Sequence, residues 1–167
     1  MTTSVTGRAP IPLPVDACWE KLRDLTRAAN YVPGLTGCVV TTEAREGVGA
    51  SRRVTSQQFG DMDETVVHWD EGKGFTIRLH KGEGPATPFK EATFRYALEP
   101  TAAGCEIVTT MTYQLGFGPL GALFDALILR RMSRSNVRKV AVALAEHYVT
   151  DAPVPPARLA ELLRQAG

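Results

Sequence analysis

Two periods of apolar residues divide the chain. Between about residues 37 and 117 they recur at every second position, the repeat of a strand with one buried face. Before and after that stretch they recur every three or four residues, the repeat of an amphipathic helix. The alternation predicts strands at 37–45, 48–59, 62–70, 74–82, 89–99 and 105–117, with a short first strand at 4–9. The separators carry turn chemistry: Glu46-Gly47, Gly60-Asp61, the run from Asp70 to Gly74, and Pro100 to Gly104. Gly60-Asp61 suits a two-residue hairpin in which glycine supplies the positive φ. The stretch 82–88, with two glycines and two prolines, reads as a loop.

Helical spacing appears twice more. Pro14 and Asp16 suit the first turn of a helix that carries Trp19, Leu22 and Leu25 on one face to about Ala29. Tyr31-Val32-Pro33-Gly34 ends it. From Pro119 a second pattern runs to about Tyr148. Leu120, Leu123, Phe124, Leu127 and Ile128 form one stripe, and Val137, Val140, Ala141, Leu144 and Tyr148 form another, rotated from the first. Arg130 to Asn136 lies between them, where either a bend or a change of burial is expected. Thr150 to Pro156 is a Pro-rich linker, and 157–165 reads as a short helix bearing Leu159, Leu162 and Leu163. The expected division is a domain over 1–149 and a tail over 150–167.

The turns fix a register, and the register fixes two faces. Pairing across Asp70 to Gly74 groups Thr65, Val67 and Trp69 with Phe75, Ile77 and Leu79. Glu64, Val66, His68, Thr76, Arg78 and His80 then share the opposite, outer face, with Glu64 and His80 as a surface pair. Pairing through Gly60-Asp61 turns Arg52, Val54, Ser56 and Gln58 inward. Across the turn at 100–104, Ala92, Phe94, Tyr96 and Leu98 oppose Tyr113, Met111, Thr109 and Ile107. The inner face is therefore apolar with a few polar groups, the make-up of a small-molecule pocket. Arg52 on that face needs a partner, for which Glu43 is the candidate, or awaits an anionic ligand group; a bulge that returns it to solvent is the third option.

Three stretches carry a resemblance. They are Ile11-Pro12-Leu13-Pro14-Val15-Asp16-Ala17-Cys18-Trp19, Tyr31-Val32-Pro33-Gly34, and Gly104-Cys105-Glu106-Ile107-Val108 after Pro100. In the order strand, short helix, six strands, long helix, they resemble the START-like or Bet v 1-like (SRPBCC) superfamily. They are similar to bacterial polyketide cyclase/dehydrase and lipid-transport proteins. The resemblance covers about residues 4–148. It implies an α+β helix-grip fold, a curved antiparallel sheet of about seven strands wrapped around a long C-terminal helix. It also implies a cavity between the two and usually a hydrophobic ligand. It brings no shared catalytic motif, so it assigns no residue a role.

Composition narrows the field further. A chain of 167 residues, 44% hydrophobic and 22% charged, suits one globular domain. A net charge of +1 sets up no global field for nucleic acid. Cys18, Cys38 and Cys105 lie far apart in sequence and make neither a disulfide framework nor a metal set, and His68, His80 and His147 are equally scattered. A reducing cytoplasm is expected. Met1 to Arg8 lacks a signal peptide's apolar stretch, and no run reaches the ~20 apolar residues of a membrane span. The basic run Arg130 to Lys139 has no interleaved aromatics, so it reads as a solvated face. Arg131, Arg134 and Arg138 on one side of it are open to an anionic head group or an acidic partner. Gly116 to Gly121 lacks phosphate-loop spacing and reads as a strand-to-helix hinge. No nucleophile motif, metal or cofactor is expected.

The expected function is to bind a small hydrophobic or aromatic molecule: a polyketide, a quinone or a lipid. Trp69, Ile77, Leu79, Tyr96, Met111, Tyr113, Leu123 and Leu127 are expected to line the site, and Arg52, Ser56 and Thr65 to orient polar ligand atoms. The alternative is a metal-free cyclase or dehydratase using Arg52, Tyr96 or Tyr113. A third reading is an interaction module working through the basic helix face or the Leu159/Leu162/Leu163 tail. Neither nucleic acid nor integral membrane association is expected, and the chain is expected to be a monomer or homodimer.

Overall fold

A computed structural model describes residues 1–116 and 118–167. Part of the expected Gly116–Gly121 hinge and the last position of the expected final strand fall on Phe117, outside the described residues. The strands are β1 (Thr2–Ile11), β2 (Leu35–Val40), β3 (Ser51–Ser56), β4 (Gly60–Asp70), β5 (Gly74–Lys81), β6 (Gly84–Pro85), β7 (Phe89–Thr101) and β8 (Gly104–Leu115). The helices are α1 (Val15–Leu22), α2 (Ala28–Tyr31), α3 (Gly118–Phe124), α4 (Arg130–Thr150) and α5 (Pro156–Gln165). One antiparallel sheet runs β1-β8-β7-β5-β4-β3-β2, with β6 paired to β5. The segment containing α1 and α2 carries the chain from the β1 edge to the β2 edge. Together with the long C-terminal helix this is the expected α+β helix-grip architecture.

The helix is seated on the sheet through backbone contact. A Cβ at Gly7 of β1 would stand 2.6 Å from the Val137 carbonyl carbon, so only glycine allows α4 to lie this close. The Thr109 hydroxyl of β8 donates to the Val137 carbonyl at 2.8 Å. Val137, Val140, Ala141, Leu144 and Tyr148 are buried there, the second of the two expected stripes.

Several elements differ from the sequence expectation. The first helix stops at Leu22 because the Asp24 side chain accepts from the Thr26 N–H and starts a separate 3-10 turn, Leu25–Arg27. β2 and β3 are shorter than expected, and β6 forms inside the expected loop 82–88. The break in the long helix is a π-helical segment, Asp125–Leu129, just before the basic run rather than within it. Cys18 and Cys105, distant in sequence, pack with their sulfurs 3.0 Å apart in the core as free thiols.

The largest correction concerns β4. His68 pairs with Thr76 and Val66 pairs with Ile77, leaving Val67 as a β-bulge. Every residue before the bulge changes face. Val66 is buried and Val67 exposed. Glu64 turns inward opposite Arg52, and Thr65 turns outward opposite Ser51 and Arg78.

Candidate ligand-binding site

β3 delivers Arg52 to the inner face, 1% exposed. Its Nε donates to Glu64 Oε2 at 2.6 Å, and its Nη1 donates to the Leu25 carbonyl at 2.9 Å, presented by the 3-10 turn. Its Nη2 is buried without a partner among the described residues, as is the Tyr148 hydroxyl. Burial alone would lower the Arg52 pKa. The Glu64 carboxylate, joined by Tyr31 and Tyr96, outweighs it and holds the guanidinium well above its ordinary value. Burial pushes the Tyr31, Tyr96 and Tyr148 hydroxyls upward, so all three are protonated donors at neutral pH.

These tyrosines form the centre of an aromatic group. The Tyr31 ring meets Tyr96 at 6.2 Å and Tyr148 at 6.4 Å, both nearly perpendicular. Tyr96 packs on Phe94 at 4.9 Å and on Phe75 at 5.2 Å, and Trp69 stacks on Phe75 at 5.6 Å. Edge-to-face and offset contacts of this kind fix ring positions as well as burying area.

Tyr31 also has a second role. It forms part of the wall of a cavity of about 440 Å³ between α2 and the start of β2 on one side and α4 and α5 on the other. Pro33, Leu35, Ala143, Leu159 and Leu163 give that cavity apolar walls, with Gln57 and Lys139 among its polar groups. Its size is that of a pocket for a drug-sized molecule. The tail closes it. The Val154 N–H donates to the Asn30 carbonyl at 2.9 Å, and Arg158 pairs with Glu146 at 2.8 Å. Asp151 pairs with Lys21 and Arg27.

A separate polar group ties the long helix to the sheet. Asp125 accepts from the Thr3 hydroxyl at 2.7 Å, from Arg130 at 3.2 Å and from the Tyr113 hydroxyl. Burial acts to raise the Asp125 carboxyl, but these three donors outweigh it and hold it below the ordinary range. Burial and the carboxylate push Tyr113 up to about 12. The cleft beside them, about 30 Å³, has room for little more than a water molecule.

The structure sorts the residues expected from sequence. Arg52, Ile77, Tyr96 and Met111 are buried on the inner face, and Trp69 and Leu79 are half-buried there. Ser56 ends β3, its hydroxyl accepting from the Gln58 N–H at 3.1 Å. Tyr113 is buried but committed to Asp125. Thr65 is corrected to the outer face, where it bonds Ser51 and His80. Leu123 and Leu127 are corrected to exposed positions, 58% and 67%, because Gly121 and Asp125 take the buried side of their segment. Glu64 is not a surface partner of His80, which pairs with Asp63 in register, and Glu43 lies exposed between β2 and β3. Tyr31 and Tyr148 are legible in the sequence only as a helix exit and a core position. Nothing in their spacing marks Tyr31 as a neighbour of Arg52 or Tyr148 as a neighbour of Tyr31.

Among the described residues no group of three metal-ligating side chains exists, and no helix is long and apolar enough to cross a membrane. The model of the family described as polyketide cyclase / dehydrase and lipid transport matches residues 2–149. A crystal structure of Ara h 8.0201 superposes with a TM-score of 0.64 at 15% identity, covering 90% of this chain and 99% of that one. The crystal structure of TTHA0849 from Thermus thermophilus gives 0.66 at 22% identity, covering 89% and 99%. At these identities the two structures speak for the fold alone. No curated protein matches the chain in sequence.

Proposed function

The chain belongs to the polyketide cyclase/dehydrase and lipid transport family, and from that premise we propose that it holds a polyketide-, quinone- or lipid-like molecule with its polar end at Arg52. Family and fold together support a hydrophobic ligand-binding role. The observation that carries the finer reading is the Arg52 Nη2 atom, buried without an acceptor beside tyrosines of which one, Tyr31, also walls the 440 Å³ cavity. An unpaired buried donor costs about 1–3 kcal/mol, and more when charged. A ligand carbonyl or carboxylate would remove that cost, with the apolar body of the ligand in the cavity. We place this activity in the cytoplasm, in a monomer or homodimer.

Native mass spectrometry of freshly purified protein, repeated after denaturing extraction, tests the reading. A copurifying molecule of matching mass in both is expected. Protein that is free of ligand and takes up no ligand from a panel of hydrophobic carbonyl compounds would refute it. Arg52→Met alone would strand Glu64 in the core, so the informative variant is Arg52→Met with Glu64→Leu, which removes both charges. It is expected to fold and to lose at least about tenfold in affinity for a carbonyl ligand, the equivalent of one hydrogen bond to a charged donor.

One observation favours a second reading, a metal-free cyclase or dehydratase in the same place. Two protonated tyrosines, Tyr31 and Tyr96, beside a fixed guanidinium are suited to polarise a ligand carbonyl. Tyr96→Phe would then reduce turnover of a polyketide-like substrate far more than Tyr113→Phe, whose hydroxyl is occupied by Asp125. Equal turnover in wild type and Tyr96→Phe would remove Tyr96 from the chemistry.

A further inference from the structure

The first half of the long C-terminal helix turns its apolar side to solvent. Gly121, Asp125, Ser133 and Val137 are the buried positions along this length. Asp125 is held against β1 and β8 by Thr3 and Tyr113. At about 100° per residue, Leu123 and Leu127, two positions either side of Asp125, point away from the sheet. Leu120, Leu123, Phe124, Leu127, Ile128 and Met132 are all exposed, Leu120 at 78%. They extend over about 18 Å of helix at about 1.5 Å per residue. A monomeric surface rarely leaves so many large apolar side chains contiguous without a purpose.

The charge beside this stripe has one sign. From Ala126 to Ala145 there is no Asp or Glu, and the same stretch carries Arg130, Arg131, Arg134, Arg138 and Lys139. Arg130 is paired with the buried Asp125. Arg131, Arg134 and Arg138 are exposed and have no carboxylate partner among the described ion pairs. The molecule as a whole is nearly neutral, at +1, so this is a local feature.

We propose that this face, the Leu120–Met132 stripe with Arg131, Arg134 and Arg138, docks peripherally on an anionic lipid surface. Aliphatic side chains next to unpaired arginines, on a helix that is anchored along its other side, are arranged as in a helix that lies in a membrane interface. From Leu120 to Ile128 the chain runs Leu-Gly-Ala-Leu-Phe-Asp-Ala-Leu-Ile, in which the one polar side chain, Asp125, is buried. The stripe therefore offers a protein partner no side-chain hydrogen bond to set a register. A second copy of the chain would bring the same cations and no exposed carboxylate from this segment. Docking here stands independently of what the interior binds.

Co-sedimentation with vesicles tests the proposal. One set is phosphatidylcholine alone, and the other has phosphatidylglycerol as a third of the lipid. The protein is expected to bind the mixed vesicles at least about tenfold more strongly than the neutral ones and to be released by salt. Arg131→Gln and Arg134→Gln should each weaken binding to mixed vesicles about five-fold. Leu123→Ser with Leu127→Ser, at exposed positions and with unchanged circular dichroism, should abolish it. No binding to either vesicle, or equal binding by wild type and the Leu123/Leu127 variant, overturns the proposal. So does self-association of wild type, without vesicle binding, that the same variant removes. Recovering the protein free of lipid after flotation separates docking from lipid uptake into the interior.

Discussion

Glu64→Ala would leave the Arg52 guanidinium in the core without its carboxylate. Breaking one side of a buried pair costs about 3–5 kcal/mol, whereas exchanging both sides for apolar groups is often neutral. Urea unfolding should therefore show a large loss for Glu64→Ala and a small one for Arg52→Met with Glu64→Leu. Gly7 makes a comparable demand through backbone rather than charge. The methyl of Gly7→Ala would meet the Val137 carbonyl at 2.6 Å and push α4 off β1, at a cost of about 1–3 kcal/mol. Asp125 gives a pH signature. Its carboxyl is held low by Thr3, Tyr113 and Arg130, so its contribution is complete above the unfolded carboxyl's titration and is lost as pH falls through the lowered folded value. Asp125→Asn should flatten the acid limb of stability measured by denaturant titration at a series of pH values. An acid limb identical to wild type would show that Asp125 contributes nothing to it.

At the scale of elements, the bulge in β4 decides what the interior contains. Deleting Val67 would join His68 directly to Val66 and leave Glu64 inward and Thr65 outward. That variant should keep cooperative unfolding. Deleting Thr76 from β5, which is paired on both sides, should not, because half the strand would turn over. The same bulge explains what can be read from sequence. β7 and β8 alternate without interruption across this stretch, and the pairs Ala92–Tyr113, Phe94–Met111, Tyr96–Thr109 and Leu98–Ile107 occur as expected. In β4 the bulge falls at Val66-Val67, where either valine could take the buried place, so alternation carries no information about the slip. The long helix misleads for a different reason. Periodicity marks an apolar stripe but not what covers it, and on α3 and the π-helical segment the buried side is Gly121 and Asp125. Arg52 is legible as an inward cation. Its partner is not, because that depends on the slip.

At the scale of the molecule, the matched family region and the cavity do not coincide. The match ends at 149, while Val154, Pro156, Leu159, Ala160 and Leu163 wall the cavity. A chain ending at Thr150 retains every strand and all of α4. It should fold, with sheet signal in circular dichroism close to that of the full chain. It should also bind an apolar fluorescent probe at least about tenfold more weakly, which would locate binding at the tail-walled cavity. Unchanged probe affinity would place binding elsewhere on the inner face. The tail pairs with no strand. Its residues are therefore open to substitution without disturbing the register of the sheet, so the shape of the cavity can change while the scaffold that carries it stays the same.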